Sequence, residues 1–403
     1  MNALPGLALR SLWNRRGTAA LTVFAIGVSV ALLLGVEMLR SSARESFAGT
    51  LSGTDLVVGP RTGPVNLLLY SVFHLGEPTA NVSWATYRLV SSHRDVAWTV
   101  PLVLGDSHRG FRVVGTNASF HAHYRYAGGK PLSLEAGRWP QSAGEAALGH
   151  EVARALGYRP GDPIVLDHGL GAGSFVQHEA SPVRVAGVLA PTGTPVDRAV
   201  YVDLSTLEAL HDPDHADGEP AAITAFLVGM KNRDTTLVMQ RALNEYRGEA
   251  LQAVIPGVAL SELWQVVGIV DRALLAVAAC VALAGLLGLL AAILTSLNER
   301  RREMAILRSV GARPRHVFGL LLLEAGLLAA AGALAGIALA YGLLLLARPW
   351  VAGRYGLELG LRPLGLTELA IVGAVIGAAL LLSAIPAWRA YRVALADGLN
   401  VRL

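Results

Sequence analysis

Four apolar runs, residues 17–38, 269–297, 317–347 and 369–387, each carry about twenty or more residues with almost no charge. A helix needs roughly 20 such residues to cross a hydrocarbon core ~30 Å thick, and only helices and closed barrels satisfy their backbone groups there. The runs therefore predict four transmembrane helices. Between the first two lie residues 39–268, which are mixed in composition and rich in turn residues. With 53% hydrophobic and 16% charged residues in 403, the chain is too apolar for a soluble enzyme and too polar to lie wholly in a bilayer. The expected fold class is an α-helical membrane protein with four transmembrane helices and a large α+β extracytoplasmic domain inserted between helices 1 and 2.

Arginine orients the spans. Arg10, Arg15 and Arg16 precede the first run, and Arg300, Arg301, Arg302, Arg308, Arg313 and Arg315 face only Glu299 and Glu303 between the second and third. Loops rich in arginine stay in the cytoplasm. Segment 1–16, hinge 298–316 and tail 388–403 are thus expected inside, and domain 39–268 and loop 348–368 outside. A cleaved signal peptide shares the basic start, but the first run is too long and no small-x-small cleavage site follows it.

The outer domain reads as strands near 54–58, 96–104, 111–115, 163–167, 183–189, 199–202 and 222–229, with helices near 84–93, 151–157, 204–211 and 235–246. Small residues recur every fourth position at Gly27, Ala31 and Gly35, at Gly332 and Gly336, and at Gly373 and Gly377. Such stripes let helices approach closely, although the spacing also arises by chance in Ala- and Leu-rich sequence. Glu324 is a carboxylate well inside a run. An ion or proton site is one reading, and a structural group reaching headgroups, water or an arginine is the preferred one.

In the hinge, Met304, Leu307 and Val310 recur at helical spacing with Ile306 beside them, and Gly311 then suits a left-handed helix end. The run Arg302-Glu303-Met304-Ala305-Ile306-Leu307-Arg308-Ser309-Val310-Gly311-Ala312 resembles the coupling segment of the MacB/FtsX family of ABC-transporter permeases. Leu322-Leu323-Glu324-Ala325 resembles that family's following helix, and Ile385-Pro386-Ala387-Trp388-Arg389-Ala390-Tyr391-Arg392 resembles its C-terminal end, with Trp388 and Tyr391 as departures. The resemblance implies a stand-alone permease without an ATPase domain, in the bacterial inner membrane with both termini cytoplasmic, closest to the MacB and lipoprotein-releasing branches. It implies ATPase-coupling roles for Arg302, Glu303, Met304, Ile306, Leu307, Arg308, Val310 and Gly311. It also implies a distal lobe at 117–220 and partners: two copies of an ABC ATPase that bind ATP and Mg, a second permease that is either another copy in a homodimer or a sister chain in a heterodimer, room for a periplasmic binding or adaptor protein, and membrane lipid.

Other chemistry finds little support. No G-x-x-x-x-G-K-[ST] occurs, since Lys130 and Lys231 are followed by Pro131 and Asn232. Nor is there an H-E-x-x-H or G-x-S-x-G motif, so no catalytic site and no cofactor are assigned to this chain. No aromatic-interleaved basic patch suggests nucleic acid. Cys280 is alone, which excludes an intramolecular disulfide. Ten of the 11 histidines fall in the outer domain. His121 and His123 form an H-x-H pair that, on one side of a strand, is a weak candidate for zinc, scattered surface histidines being the alternative. Three functions stay open: a transporter subunit converting ATP-driven helix motion into motion of the outer domain, a signalling scaffold of FtsX type, and a component of zinc homeostasis.

Overall fold

The computed structural model describes residues 4–168, 182–211, 220–299, 313–355 and 362–392. The chain divides into two compact units, Met1–Ser41 with Gly268–Arg348 and Gly360–Leu403, and Ser42–Val267 with Pro349–Leu359.

In the first unit a short helix, Leu4–Asn14, precedes the first of four long ones: Arg16–Thr50, Pro256–Glu299, Pro314–Tyr355 and Leu366–Arg392. Each contains a stretch long and apolar enough to cross a bilayer. This is a multi-pass membrane protein. Two of the helices begin on proline, where the missing N–H would be unpaired in any case. Their common core shows the packing rule. Ile26, Val30, Leu34 and Met38, four residues apart, make a stripe of large side chains on the first helix, while Ala325, Ala329 and Ala333 make a small one on the third. Leu286, Leu289 and Ile293 of the second helix and Val375 and Ala379 of the fourth complete the cluster. Lipid is as apolar as leucine, so close contact rather than exclusion from water holds such helices together.

The second unit is built on a mixed sheet of 11 strands. Its main path uses β1 (Leu56–Pro60), β2 (Val96–His108), β3 (Phe111–Thr116), β4 (Leu134–Gly137), β5 (Glu145–Leu148), β6 (Val183–Leu189), β7 (Ala199–Asp203), β8 (Ala225–Met230) and β9 (Leu251–Val254). They lie in the order β9-β1-β8-β2-β3-β7-β5-β6-β4. All pairs along this path are antiparallel except β3 with β7 and β5 with β6. The short strands Pro163–Ile164 and Asp167–His168 add to β6 and β2.

Successive side chains in a strand point to opposite faces, and here both faces are covered. Val57, Val114, Tyr201 and Leu227 point into one core cluster. Their neighbours Leu56, Val58, Phe226 and Val228 fill a second, and Val113, Val200 and Val202 a third. Double burial explains the unbroken apolar runs at Leu56-Val57-Val58 and Phe226-Leu227-Val228. The expected class, four spanning helices with an α+β domain inserted after the first, is the one observed. The elements differ in extent: the 163–167 strand is two short ones, 222–229 splits at Thr224, and β2 runs on to His108. On the main path β4, β5 and β9 are additions to the sequence reading, as are the short strands Val82–Ser83, Arg125–Tyr126 and Lys130–Pro131 and the helices Pro64–Ser71 and Ala118–His123.

Candidate functional site

Residues 42–50 of the helix Arg16–Thr50 and residues 256–267 of the helix Pro256–Glu299 belong to the sheet unit. Within the outer unit, Phe47 lies 4.5 Å from Phe73 and 5.7 Å from Trp264 between ring centroids, and the Arg44 guanidinium sits over Trp264 at 5.4 Å. Leu51, Leu263 and Trp264 pack against the same core cluster that holds the buried Ala259 and Leu260. Polar contacts fix the register. Tyr124 Oη donates to Thr50 O at 2.5 Å, and Ser46 Oγ donates to Gly193 O at 3.2 Å. The Gly193 turn is itself held by the Asp197 carboxylate, which accepts from Thr192 N, Thr192 Oγ1 and Gly193 N. Burial pushes Asp197 above the usual carboxylate range, and these hydrogen bonds oppose the shift. Desolvation likewise raises Tyr124. These residues carried no motif, and none was singled out by sequence reasoning.

In the membrane unit the structure brings together some of the small residues and leaves others apart. A Cβ at Gly332 would stand 2.7 Å from Ile26 Cβ, and one at Gly336 2.7 Å from Gly27 O and from Val30 Cβ. Gly27, Gly332 and Gly336 thus form one close crossing of the first and third helices within a single chain, with Ala31 buried beside it. At Gly35, Gly373 and Gly377 an added Cβ would meet nothing within 4 Å. A further close contact is Gly285 against Ser29, whose hydroxyl donates to Ala25 O at 2.8 Å and reaches Val281 O at 3.1 Å.

Glu324 is buried at 7% exposure, and it lines a cavity of about 40 Å³ with Ser11, Arg15, Thr18 and Thr22. The carboxylate thus shares its cavity with an arginine and three hydroxyls. A second polar cluster holds Arg362, which donates to Glu368 Oε1 at 2.7 Å and to Ser41 Oγ at 2.5 Å while its carbonyl accepts from Tyr341 Oη at 2.7 Å. The residues assigned to ATPase coupling, Arg302, Glu303, Met304, Ile306, Leu307, Arg308, Val310 and Gly311, lie outside the described residues.

The zinc reading of His121 and His123 rested on a strand, and that premise is corrected. Both stand on the helix Ala118–His123, whose cap Asn117 accepts from Ser119 N. Two residues apart on a helix is about 200° of rotation, so the rings diverge. His121 stacks on Trp139 at 5.2 Å and His123 on Trp98 at 5.0 Å. Among the described residues no group of three His, Cys, Asp or Glu side chains could hold a metal ion.

Residues 19–246 match the MacB-like periplasmic core domain, and residues 275–395 the FtsX-like permease C-terminal domain. Among solved structures, the periplasmic region of MacB from Actinobacillus actinomycetemcomitans is similar at 12% identity, with 53% of this chain and 94% of that one covered and a TM-score of 0.36. The extracellular domain of the noncanonic ABC-type transporter YknZ from Gram-positive bacteria is similar at 14% identity, covering 50% and 98%, with a TM-score of 0.32. No curated protein matches the sequence.

Proposed function

We propose, since the chain belongs to the MacB/FtsX family of ABC-transporter permeases, that it is the membrane subunit through which a separate ATPase moves a periplasmic domain. ATP and Mg bind the ATPase, of which two copies serve two permease chains. The hinge 298–316 docks in a groove of that ATPase, with Met304, Ile306, Leu307 and Val310 as apolar anchors and Arg302, Glu303 and Arg308 at the rim. Gly311 then redirects the chain into the third span. Displacement of the helices is passed to the outer domain, which does the work of exporting or extracting a substrate outside the inner membrane.

The observation that supports this reading is the packing of two helix ends inside the sheet unit. Phe47 and Trp264 come from two different spanning helices, and both pack into the core of the sheet domain. Both helices thus contribute side chains to the core of the sheet unit.

The test is copurification of the ATPase and its turnover in reconstituted membranes. Helix-in-groove recognition concentrates its energy in a few anchors, each worth about 1–3 kcal/mol. Leu307→Asp places a charge against an apolar groove, and it is expected to abolish both readouts while insertion and outer-domain folding survive. Arg300→Ala is expected to leave both nearly intact. Wild-type copurification and turnover in Leu307→Asp would remove the hinge as the coupling element. A chain that instead activates a periplasmic partner as a scaffold would keep ATPase binding but show partner-dependent, substrate-independent turnover.

A further inference from the structure

The short helix Leu4–Asn14 is separated from the first spanning helix by Arg15 alone, and the two sides of its last turn differ. Ser11 is buried and lines the Glu324 cavity, and Leu12 packs against the core cluster of the four long helices. Trp13 is 76% exposed, and Arg10 is exposed as well. At roughly 100° per residue, Arg10 and Trp13 stand about 60° apart around the axis, whereas Ser11 and Trp13 stand about 160° apart. One side of the helix end is thus seated on the bundle, and the other presents an indole beside a guanidinium.

Position decides what meets that second side. The apolar run begins at residue 17, four positions after Trp13, which is a rise of about 6 Å at most. The headgroup layer on each side of a ~30 Å hydrocarbon core is roughly 5–8 Å deep, so the indole falls inside it. Leu21 and Phe24 continue an exposed apolar surface along the next helix. An indole, with an apolar body and one N–H donor, suits the boundary layer better than either water or hydrocarbon. Charge then selects among headgroups. Arg10, Arg15 and Arg16 are the charged side chains of residues 1–36, and no acid precedes Glu37. Each basic side chain near an acidic lipid surface raises affinity about 5-fold.

We propose that the face carrying Arg10 and Trp13 is a binding site for an acidic phospholipid, its phosphate on the Arg10 guanidinium and the upper part of its acyl chains against the Trp13 ring. The site rests on the first long helix crossing the membrane and not on coupling to an ATPase.

The experiment places the full chain in nanodiscs of equal parts phosphatidylcholine and phosphatidylglycerol, with bromine on the acyl chains of one lipid or of the other. Bromine quenches an indole that it touches, and the Trp13 signal is the difference between wild type and Trp13→Phe. Both lipids are expected to quench that signal, brominated phosphatidylglycerol as though enriched about 5-fold beside it. Arg10→Gln should remove the enrichment while quenching persists, and Arg10→Lys, which keeps the charge, should retain most of it. Added salt should weaken the preference, because exposed charges are screened. Both substitutions are at an exposed position, and circular dichroism checks that they fold. The proposal is overturned if neither lipid quenches Trp13, if the two quench equally, or if Arg10→Gln keeps the enrichment. Loss of the quenching when the copurified ATPase is bound would give this face to that partner and overturn it as well.

Discussion

Single residues carry much of the polar stability here, and two of them give direct tests. Glu368 is 3% exposed and its partner Arg362 33% exposed in side-chain terms. Removing one member of such a pair strands the other, a change that costs about 3–5 kcal/mol, whereas removing both costs far less. Arg362→Gln should therefore lower the unfolding midpoint of the detergent-solubilised chain strongly, and adding Glu368→Gln should restore most of it. His74 provides a pH test. Burial, and next the charge of Arg112, push its pKa down to about 3. The unfolded chain then binds the extra proton between about pH 6.5 and 3, so His74 makes stability rise with pH in that window and fall on acidification. The slope it contributes is up to about 1.4 kcal/mol per pH unit. His74→Asn, which tolerates the left-handed backbone at φ 56°, should flatten unfolding midpoints measured by tryptophan fluorescence from pH 6.5 to 4. Neither residue was legible in the sequence. Arg362 read as one of three arginines in a loop and His74 as one of ten scattered histidines, because pairing and burial belong to the tertiary fold.

Elements were legible wherever their own periodicity was strong. The four spanning helices, β6 and the helix Leu204–His211 follow from apolar pattern and length alone. β5 did not, since Ala146 and Ala147 have weak strand propensity and are held extended by pairing with β6 and β7 around a fully buried site. The H-x-H pair misled in the opposite sense: its alternation suited a strand, but Asn117 caps a short helix there. The glycine stripes were visible as spacing, and only the structure sorts them into a crowded set and an open set. Gly336→Val must displace Gly27 O and Val30, a strain of about 1–3 kcal/mol, and it should lower folded yield in membranes. Gly373→Ala should leave the yield unchanged, so any loss of association between chains in that variant reports on a second copy rather than on the bundle. In the helix Arg16–Thr50, Ser42→Pro removes a helical hydrogen bond at a cost of about 3 kcal/mol. It should leave ATPase binding intact yet lower substrate-stimulated turnover in reconstituted membranes.

At the scale of the whole molecule, the arginine distribution predicts both termini and residues 298–316 in the cytoplasm and the sheet domain outside. Cys280 is the natural cysteine, so replacing it gives a clean background for accessibility labelling. A cysteine at Ser205 should then react only from the outside, and labelling confined to the inside reverses the whole orientation. Two permease copies are expected per ATPase pair, and the mass of the complex in nanodiscs decides between one copy and two. The unbroken second helix also has a consequence of scale. Its 44 residues, at 1.5 Å each, make a rod about 66 Å long. A hydrocarbon core is only ~30 Å thick, so a helix of this length is about twice what a crossing needs, and its surplus turns must find their partners outside the apolar layer.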